Sequence, residues 1–162
     1  MTIAVGDRIP SAPLIHKMGD DANTVDIAEL IAGKRVVIFG LPGAYTGTCS
    51  SAHLPSFIRT YDDFKAKGID EIICVSVNDA IVMQHWAESS GAEAKGIIML
   101  ADWNAELTKA MGLEFTVEAV GLKDRTTRCA MVVNDGVVEV LNIDDKPGVC
   151  NLSAGETILE TL

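Results

Sequence analysis

RVVIFGLPGAYTGTCSSAHLPSF, residues 35 to 57, contains the junction that decides the fold. Its first seven residues, 35–41, are rich in β-branched and aromatic side chains and predict a strand buried on both faces. Pro42 and Gly43 then predict a turn. From about Thr48 to Lys67 the apolar residues recur at helical spacing, and Pro55 is expected to bend the predicted helix. A buried strand that turns directly into a helix predicts the first half of a βαβ unit.

The remaining segments predict a mixed sheet. Further strands are expected at 71–77 and 97–101, helices at 26–34, 80–90, 105–111 and 154–161, and an extended piece near 12–16. Asp135-Gly136 between two apolar runs predicts a hairpin of residues 129–133 and 137–143. The βαβ unit must be parallel and the hairpin antiparallel. We therefore expect one domain, residues 1–162, with an α/β thioredoxin-like fold: a mixed central sheet flanked by helices.

Composition narrows the range of partners and compartments. The 23 acidic and 13 basic residues give a formal net charge of −10, which argues against nucleic acid or an anionic membrane as a partner. The opening MTIAVGDRIP lacks the features of a signal peptide, and no apolar run approaches the roughly 20 residues that span a bilayer. We expect a cytoplasmic protein, or an organellar one if a targeting segment has been removed.

One of the four cysteines has a distinctive position. Cys49, Cys74, Cys129 and Cys150 show neither a CxxC pair nor the paired spacing of zinc ligands, so no metal site is expected. Cys49 follows a buried strand and opens a helix, where free backbone N–H groups and the positive end of the helix dipole favour a thiolate. Cys49 is therefore the candidate nucleophile.

Thr46 and Pro42, which precede Cys49 in the chain, are also suited to a reactive thiolate. The Thr46 hydroxyl can donate to the sulfur or to a substrate oxygen, and Pro42 can shield the sulfur from water. The pattern Pro42-x-x-x-Thr46-x-x-Cys49 resembles the active-site loop of peroxiredoxins, and PGAYTGTCSSAHLPSF resembles that of the type II, or subfamily five, members. VSVNDAIVMQHWA, ADWNAELTKAMGL and RCAMVVNDGVV resemble later segments of the same family. The resemblance covers nearly the whole chain.

The resemblance implies a thiol peroxidase. Cys49 would be the peroxidatic cysteine, whose thiolate attacks the peroxide O–O bond and becomes a sulfenic acid. Thr46 would hydrogen-bond the thiolate and the peroxide. Arg128 would orient the peroxide and stabilise charge on the leaving oxygen.

The rest of the site and its partners are also implied by the resemblance. Pro42 would cover the sulfur, and loop N–H groups, those near Gly43 and Thr48 among them, would hold the substrate. Hydrogen peroxide and organic hydroperoxides would be the substrates, and no haem, flavin or metal would be needed. A thioredoxin, glutaredoxin or glutathione system would be the reductant, and the chain would form a homodimer.

A second thiol would then resolve the sulfenic acid. Cys150 lies in the Pro/Gly loop KPGVCNLS, where some type II members carry a resolving cysteine. Cys74 matches the position proposed in other members, but a cysteine inside a central strand is usually a buried hydrophobe, and a bridge to Cys49 would require the helix start to unravel. We expect a Cys49–Cys150 disulfide, with Cys74 or no internal thiol as alternatives.

Three other functions could use a single reactive cysteine. A disulfide oxidoreductase is disfavoured because Thr46 stands where a CxxC motif needs its first cysteine. A redox-sensing protein could use Cys49 as a switch without turnover. A Cys–His hydrolase would need His53 as its base, but no orienting carboxylate is evident in the sequence, so we expect His53 to be structural.

Overall fold

The computed structural model describes residues 1–146 and 148–162. Its strands are β1 (Pro13–Met18), β2 (Asp21–Asp26), β3 (Arg35–Leu41), β4 (Glu71–Ser76), β5 (Ile98–Ala101), β6 (Glu114–Val117), β7 (Leu122–Thr126), β8 (Cys129–Asn134) and β9 (Val137–Ile143). Its helices are α1 (Ile27–Ile31), α2 (Leu54–Ala66), α3 (Ala80–Ser90), α4 (Ala92–Lys95), α5 (Glu106–Ala110) and α6 (Gly155–Leu159). A π-helical turn, Cys49–His53, leads into α2, and a 3₁₀ turn, Glu118–Val120, follows β6.

Seven strands form one mixed sheet in the order β2-β1-β5-β4-β3-β8-β9. β3, β4 and β5 are parallel, and β8 pairs antiparallel with β3 on its other side. The helices flank this sheet, so the α/β class expected from the sequence is confirmed. The predicted bounds of β3 and α3 agree with the structure, and Asp79 caps α3 by accepting from the N–H groups of Ile81 and Val82.

The core has two layers, one on each face of the sheet. Along β3 the side chains alternate: Val37 and Phe39 join one layer, and Val36 and Ile38 join the other. This alternation follows from the two-residue period of a strand. The Phe39 ring stacks on that of Phe57 in α2, with centroids 4.0 Å apart. This contact seats α2 against the sheet and so fixes the helix that begins near Cys49.

The start of that helix differs from the α-helix predicted from about Thr48, and the difference lies just before Pro55, where a bend was expected. Between Cys49 and His53 it widens into a π turn, in which the Leu54 N–H donates to the Cys49 carbonyl, five residues back. Pro55 explains the widening, because its ring clashes with the carbonyl four residues before it and it has no N–H to donate. π turns of this kind are frequent at functional sites.

The β1–β2 hairpin, the β6–β7 hairpin and the short helix α4 were not predicted. β2, with sequence DANTVD, is a polar edge strand that pairs with β1 through its backbone. The β6–β7 hairpin forms a separate two-stranded sheet whose second strand, LKDRT, is rich in charge. Neither β2 nor β7 shows the apolar alternation that marks a strand in a sequence.

In the described residues, no helix has the length and apolar character needed to cross a bilayer.

Candidate active site

Cys49 lies just beyond the carboxyl end of β3. The chain leaves β3 at Leu41, turns, and begins a helix whose first turn is closed by the Ser50 N–H donating to the Thr46 carbonyl. The backbone N–H groups of residues 47–49 therefore open the helix, where they have no preceding carbonyl of their own helix to bond. The Cys49 side chain is fully buried. Its sulfur thus lies in a dry position at the positive end of a helix.

Arg128 reaches the sulfur of Cys49 directly. Its Nη2 donates to Cys49 Sγ at 3.2 Å, and the residue is buried. The pairing of β3 with β8 explains the approach: Gly40 lies opposite Cys129, so the start of β8 meets the end of β3. The sheet register therefore places a fixed positive charge and a hydrogen-bond donor beside a buried thiol.

His53 supports the same guanidinium from its other side. Arg128 Nη1 donates to His53 Nδ1 at 3.1 Å, and His53 Nε2 lies 3.1 Å from the Ser153 carbonyl, to which it donates. Because a carbonyl can only accept and a guanidinium can only donate, the ring is the neutral Nε2–H tautomer. Burial, reinforced by the nearby positive charge of Arg128, lowers the pKa of His53 to about 3.

His53 is the site residue that the sequence did not reveal. Its four-residue separation from Cys49 was visible, but its contact with Arg128 depends on two distant segments. The ring also packs edge-on against Phe39, at a centroid distance of 5.3 Å, and lies 5.6 Å from Phe57. His53 therefore packs in the core and also contacts the site through Arg128.

The loop that contains Thr46 is held by several hydrogen bonds. The Thr46 hydroxyl donates to the Gly43 carbonyl at 2.8 Å, which uses its proton within the loop rather than on the Cys49 sulfur. The Ala44 N–H donates to Asn78 Oδ1, and Arg125 Nη1 donates to the Pro42 carbonyl. These bonds tie the loop to the end of β4 and to β7.

Tyr45 adds a further anchor to this loop. It adopts a left-handed backbone conformation, with a φ of 62°, which is uncommon for a residue other than glycine. Its hydroxyl is hydrogen-bonded to the His85 ring and to Ser89 on α3. The loop is therefore strained at one residue and fastened to a helix by that residue's side chain.

The mouth of the site is largely apolar. Pro42, Thr46, Thr48 and Arg128 line a cavity together with residues of the β6–β7 hairpin and the turn between its strands: Phe115, Val117, Val120 and Leu122. This hairpin was not predicted, so the apolar wall was not predicted either. The cavity therefore has a polar end at Arg128 and an apolar wall formed by the β6–β7 hairpin.

The other thiols differ in exposure. All four cysteines are free, and Cys74 and Cys129 are buried. Burial raises the pKa of Cys129 to about 12 and holds that of Cys74 well above its usual range. Cys150 is half-buried, and burial raises its pKa despite the opposing positive charge of Arg128. Of the two resolving candidates, Cys150 is the more accessible.

Asp144 organises the loop that carries Cys150. Its carboxylate accepts hydrogen bonds from the N–H groups of Asn151, Leu152 and Ser153 and from the Ser153 hydroxyl, at 2.6 to 3.2 Å. Its own N–H donates to the Arg128 carbonyl at 2.9 Å. The loop around Cys150 is therefore anchored next to Arg128.

In residues 1–146 and 148–162 no group of three His, Cys, Asp or Glu side chains is arranged to hold a metal ion.

A buried thiol at a helix start, contacted by an arginine on a thioredoxin-like sheet, defines a thiol-based redox enzyme. Residues 4–159 match the family model described as Redoxin. The chain is 45% identical over 165 residues to Peroxiredoxin-2E-2, chloroplastic, from Oryza sativa subsp. japonica, covering 99% of this chain and 73% of that protein. It is 44% identical to Peroxiredoxin-2C from the same organism, covering 99% of this chain and 98% of the relative.

A solved structure agrees with these relatives. The reduced Prx3 of Vibrio vulnificus in complex with H₂O₂ superposes with a TM-score of 0.91 at 46% identity, covering 99% of this chain and 100% of the other. The chain therefore belongs to the redoxin family and, within it, to the peroxiredoxins. It is a thiol peroxidase, as the sequence predicted.

Proposed function

We propose that Cys49 is the peroxidatic cysteine and that Arg128 is its catalytic partner. The contact of 3.2 Å between Arg128 Nη2 and Cys49 Sγ carries the proposal, because it places a permanent cation and an N–H donor at the reacting sulfur. The thiolate attacks one peroxide oxygen, forming an S–O bond and breaking the O–O bond. The sulfur loses two electrons to the peroxide and becomes a sulfenic acid, and the leaving oxygen takes up a proton as water or alcohol.

The other site residues act on the substrate. Arg128 stabilises the charge that develops on the leaving oxygen. Thr46, whose hydroxyl proton bonds Gly43, presents its oxygen as an acceptor for the peroxide proton and can rotate to donate. Loop N–H groups, including those of Gly43 and Thr48, hold the peroxide, and Pro42 covers the sulfur.

Hydrogen peroxide and organic hydroperoxides are the proposed substrates. The Vibrio vulnificus relative was solved with H₂O₂. The apolar side chains at the mouth, Phe115, Val117 and Leu122 among them, suit the organic group of a larger hydroperoxide. Peroxide consumption with dithiothreitol as reductant tests the assignment: Cys49→Ser should abolish turnover, while Cys129→Ser should retain it. Turnover by Cys49→Ser would overturn the proposal.

For resolution we propose that Cys150 attacks the sulfenic acid of Cys49. A Cys49–Cys150 disulfide forms, and the sulfenic oxygen leaves as water. The greater exposure of Cys150 favours it over Cys74, which is fully buried in β4, and the Asp144 N–H bonded to the Arg128 carbonyl holds the Cys150 loop near the site. Cys74, or no internal thiol at all, stays an alternative.

The reductant, assembly and compartment are also proposals. A thioredoxin, glutaredoxin or glutathione system completes the cycle, and comparing turnover with each in turn identifies which. A homodimer is supported by the exposed Val120 at the apolar mouth, and sedimentation of the wild type and of Val120→Asp tests it. A reducing compartment, either the cytoplasm or an organelle, suits four free thiols.

A further inference from the structure

We propose that His53 is a positioning residue for peroxide reduction, which orients the guanidinium of Arg128 towards the Cys49 sulfur. The proposal rests on the role proposed above for Arg128. It adds a residue that does not itself touch the sulfur. It also connects the loop that carries Cys150 to the reacting centre.

Two contacts fix the orientation of the Arg128 guanidinium. Arg128 uses two nitrogens of one planar fork: Nη1 donates to His53 Nδ1 at 3.1 Å, and Nη2 donates to Cys49 Sγ at 3.2 Å. A planar group held at two points cannot rotate without breaking one of the contacts. An arginine with only the sulfur contact would be free to swing as the sulfur changes its charge and gains an oxygen.

The His53 ring must be neutral to accept a hydrogen bond from Arg128. Only a neutral imidazole can accept from a guanidinium, since an imidazolium has two N–H donors and would repel it. The fully buried ring satisfies this requirement, because burial and the charge of Arg128 both lower its pKa. The acceptor therefore stays available throughout the physiological pH range.

The hydrogen bond at His53 Nε2 determines which ring nitrogen accepts from Arg128. His53 Nε2 donates to the Ser153 carbonyl at 3.1 Å, which selects the tautomer that leaves Nδ1 free to accept. Ser153 is itself held by the Asp144 carboxylate through both its N–H and its hydroxyl, at 3.0 and 2.6 Å. A continuous hydrogen-bonded path thus runs from the Asp144 loop through His53 and Arg128 to the sulfur.

The test uses two substitutions at one position. His53→Phe keeps an aromatic ring beside the stacked pair of Phe39 and Phe57 but removes the acceptor. His53→Asn keeps an acceptor oxygen near the Nδ1 position. Oxidation of Cys49 by peroxide is measured in a single turnover, and circular dichroism checks the fold. We expect His53→Phe to lower the oxidation rate constant by about tenfold, the scale of one charged hydrogen bond, and His53→Asn to recover most of it.

An Arg128→Ala background separates positioning from a general loss of structure. If His53 acts through Arg128, the phenylalanine substitution should change the rate less than about twofold when Arg128 is already absent. An equal loss in both backgrounds, or asparagine as slow as phenylalanine, would overturn the proposal. If Arg128→Ala itself left the rate unchanged, the role of Arg128 would fail instead.

If His53→Phe does not fold, Asp144→Asn provides the second route. It weakens the hold on Ser153 without altering the ring, the guanidinium or the sulfur. We expect a slower oxidation in the wild-type background and no further slowing in Arg128→Ala. Unchanged oxidation by a folded Asp144→Asn protein would contradict the path from the loop to the sulfur.

Discussion

The guanidinium of Arg128 donates to the sulfur of Cys49 across 3.2 Å, although 79 positions separate the two residues in the chain. Strand pairing creates this contact. Gly40, near the end of β3, lies opposite Cys129 at the start of β8, so the residues just beyond the two strand ends meet at one edge of the sheet. The chemistry proposed for the site depends on this meeting.

Replacement of Arg128 should be the most damaging change that leaves every thiol in place. We expect Arg128→Ala to lower kcat/KM for hydrogen peroxide by about 10²-fold or more, because it removes the donor aimed at the leaving oxygen. Arg128→Lys should recover only part of the loss, since an ammonium cannot contact His53 and Cys49 as a planar fork does. Arg59→Ala, which breaks a surface ion pair with Glu156, is the control and should retain full activity. Near-normal activity in Arg128→Ala would refute the assignment.

The position of the resolving thiol predicts a particular disulfide. After one equivalent of peroxide, peptide mapping should find Cys49 joined to Cys150. Cys150→Ser should stop at the sulfenic acid, which a dimedone probe would trap. Cys74→Ser should still form the bridge, because burial holds the pKa of Cys74 well above its usual range and keeps it a thiol. A Cys49–Cys74 bridge in the wild type would favour the alternative.

The buried, neutral His53 predicts a loss of stability in acid. Its pKa is about 3 in the folded protein and about 6.5 in the unfolded chain. As the pH falls below about 6.5, the unfolded state takes up a proton that the folded state does not, so the free energy of unfolding decreases until about pH 3. Urea unfolding across this range should show a flatter pH dependence in His53→Asn than in the wild type. Parallel curves would contradict the lowered pKa.

Gly40 predicts a steric effect on stability at the end of β3. A methyl group added there would lie 2.7 Å from Thr126 Cγ2, and Thr126 is fully buried. We expect Gly40→Ala to lower the free energy of unfolding by about 1–3 kcal/mol. Gly47→Ala is the matched control, because an added methyl group there meets nothing within 4 Å. Urea unfolding of both variants measures the difference, and equal stabilities would contradict the predicted clash.

The sequence predicted the central part of the fold because its signals are local. The apolar run of β3, the Asp-Gly hairpin turn and the cap at Asp79 each depend on neighbouring residues. It did not predict the β6–β7 hairpin, because β6 is only four residues long and β7 lacks apolar alternation. It also did not predict the wide turn before Pro55, which depends on how one ring meets one carbonyl.

For the site, the sequence by itself determined which residue types were available and that Cys49 follows a strand and opens a helix. Its resemblance to the peroxiredoxins pointed to Thr46, Pro42 and Arg128. Only the tertiary structure decided that Arg128 lies between His53 and the sulfur, and that the Thr46 hydroxyl bonds its own loop. The reason is physical: a helix start is encoded by neighbouring residues, whereas the direction of a buried guanidinium is set by strand register and by acceptors from distant segments.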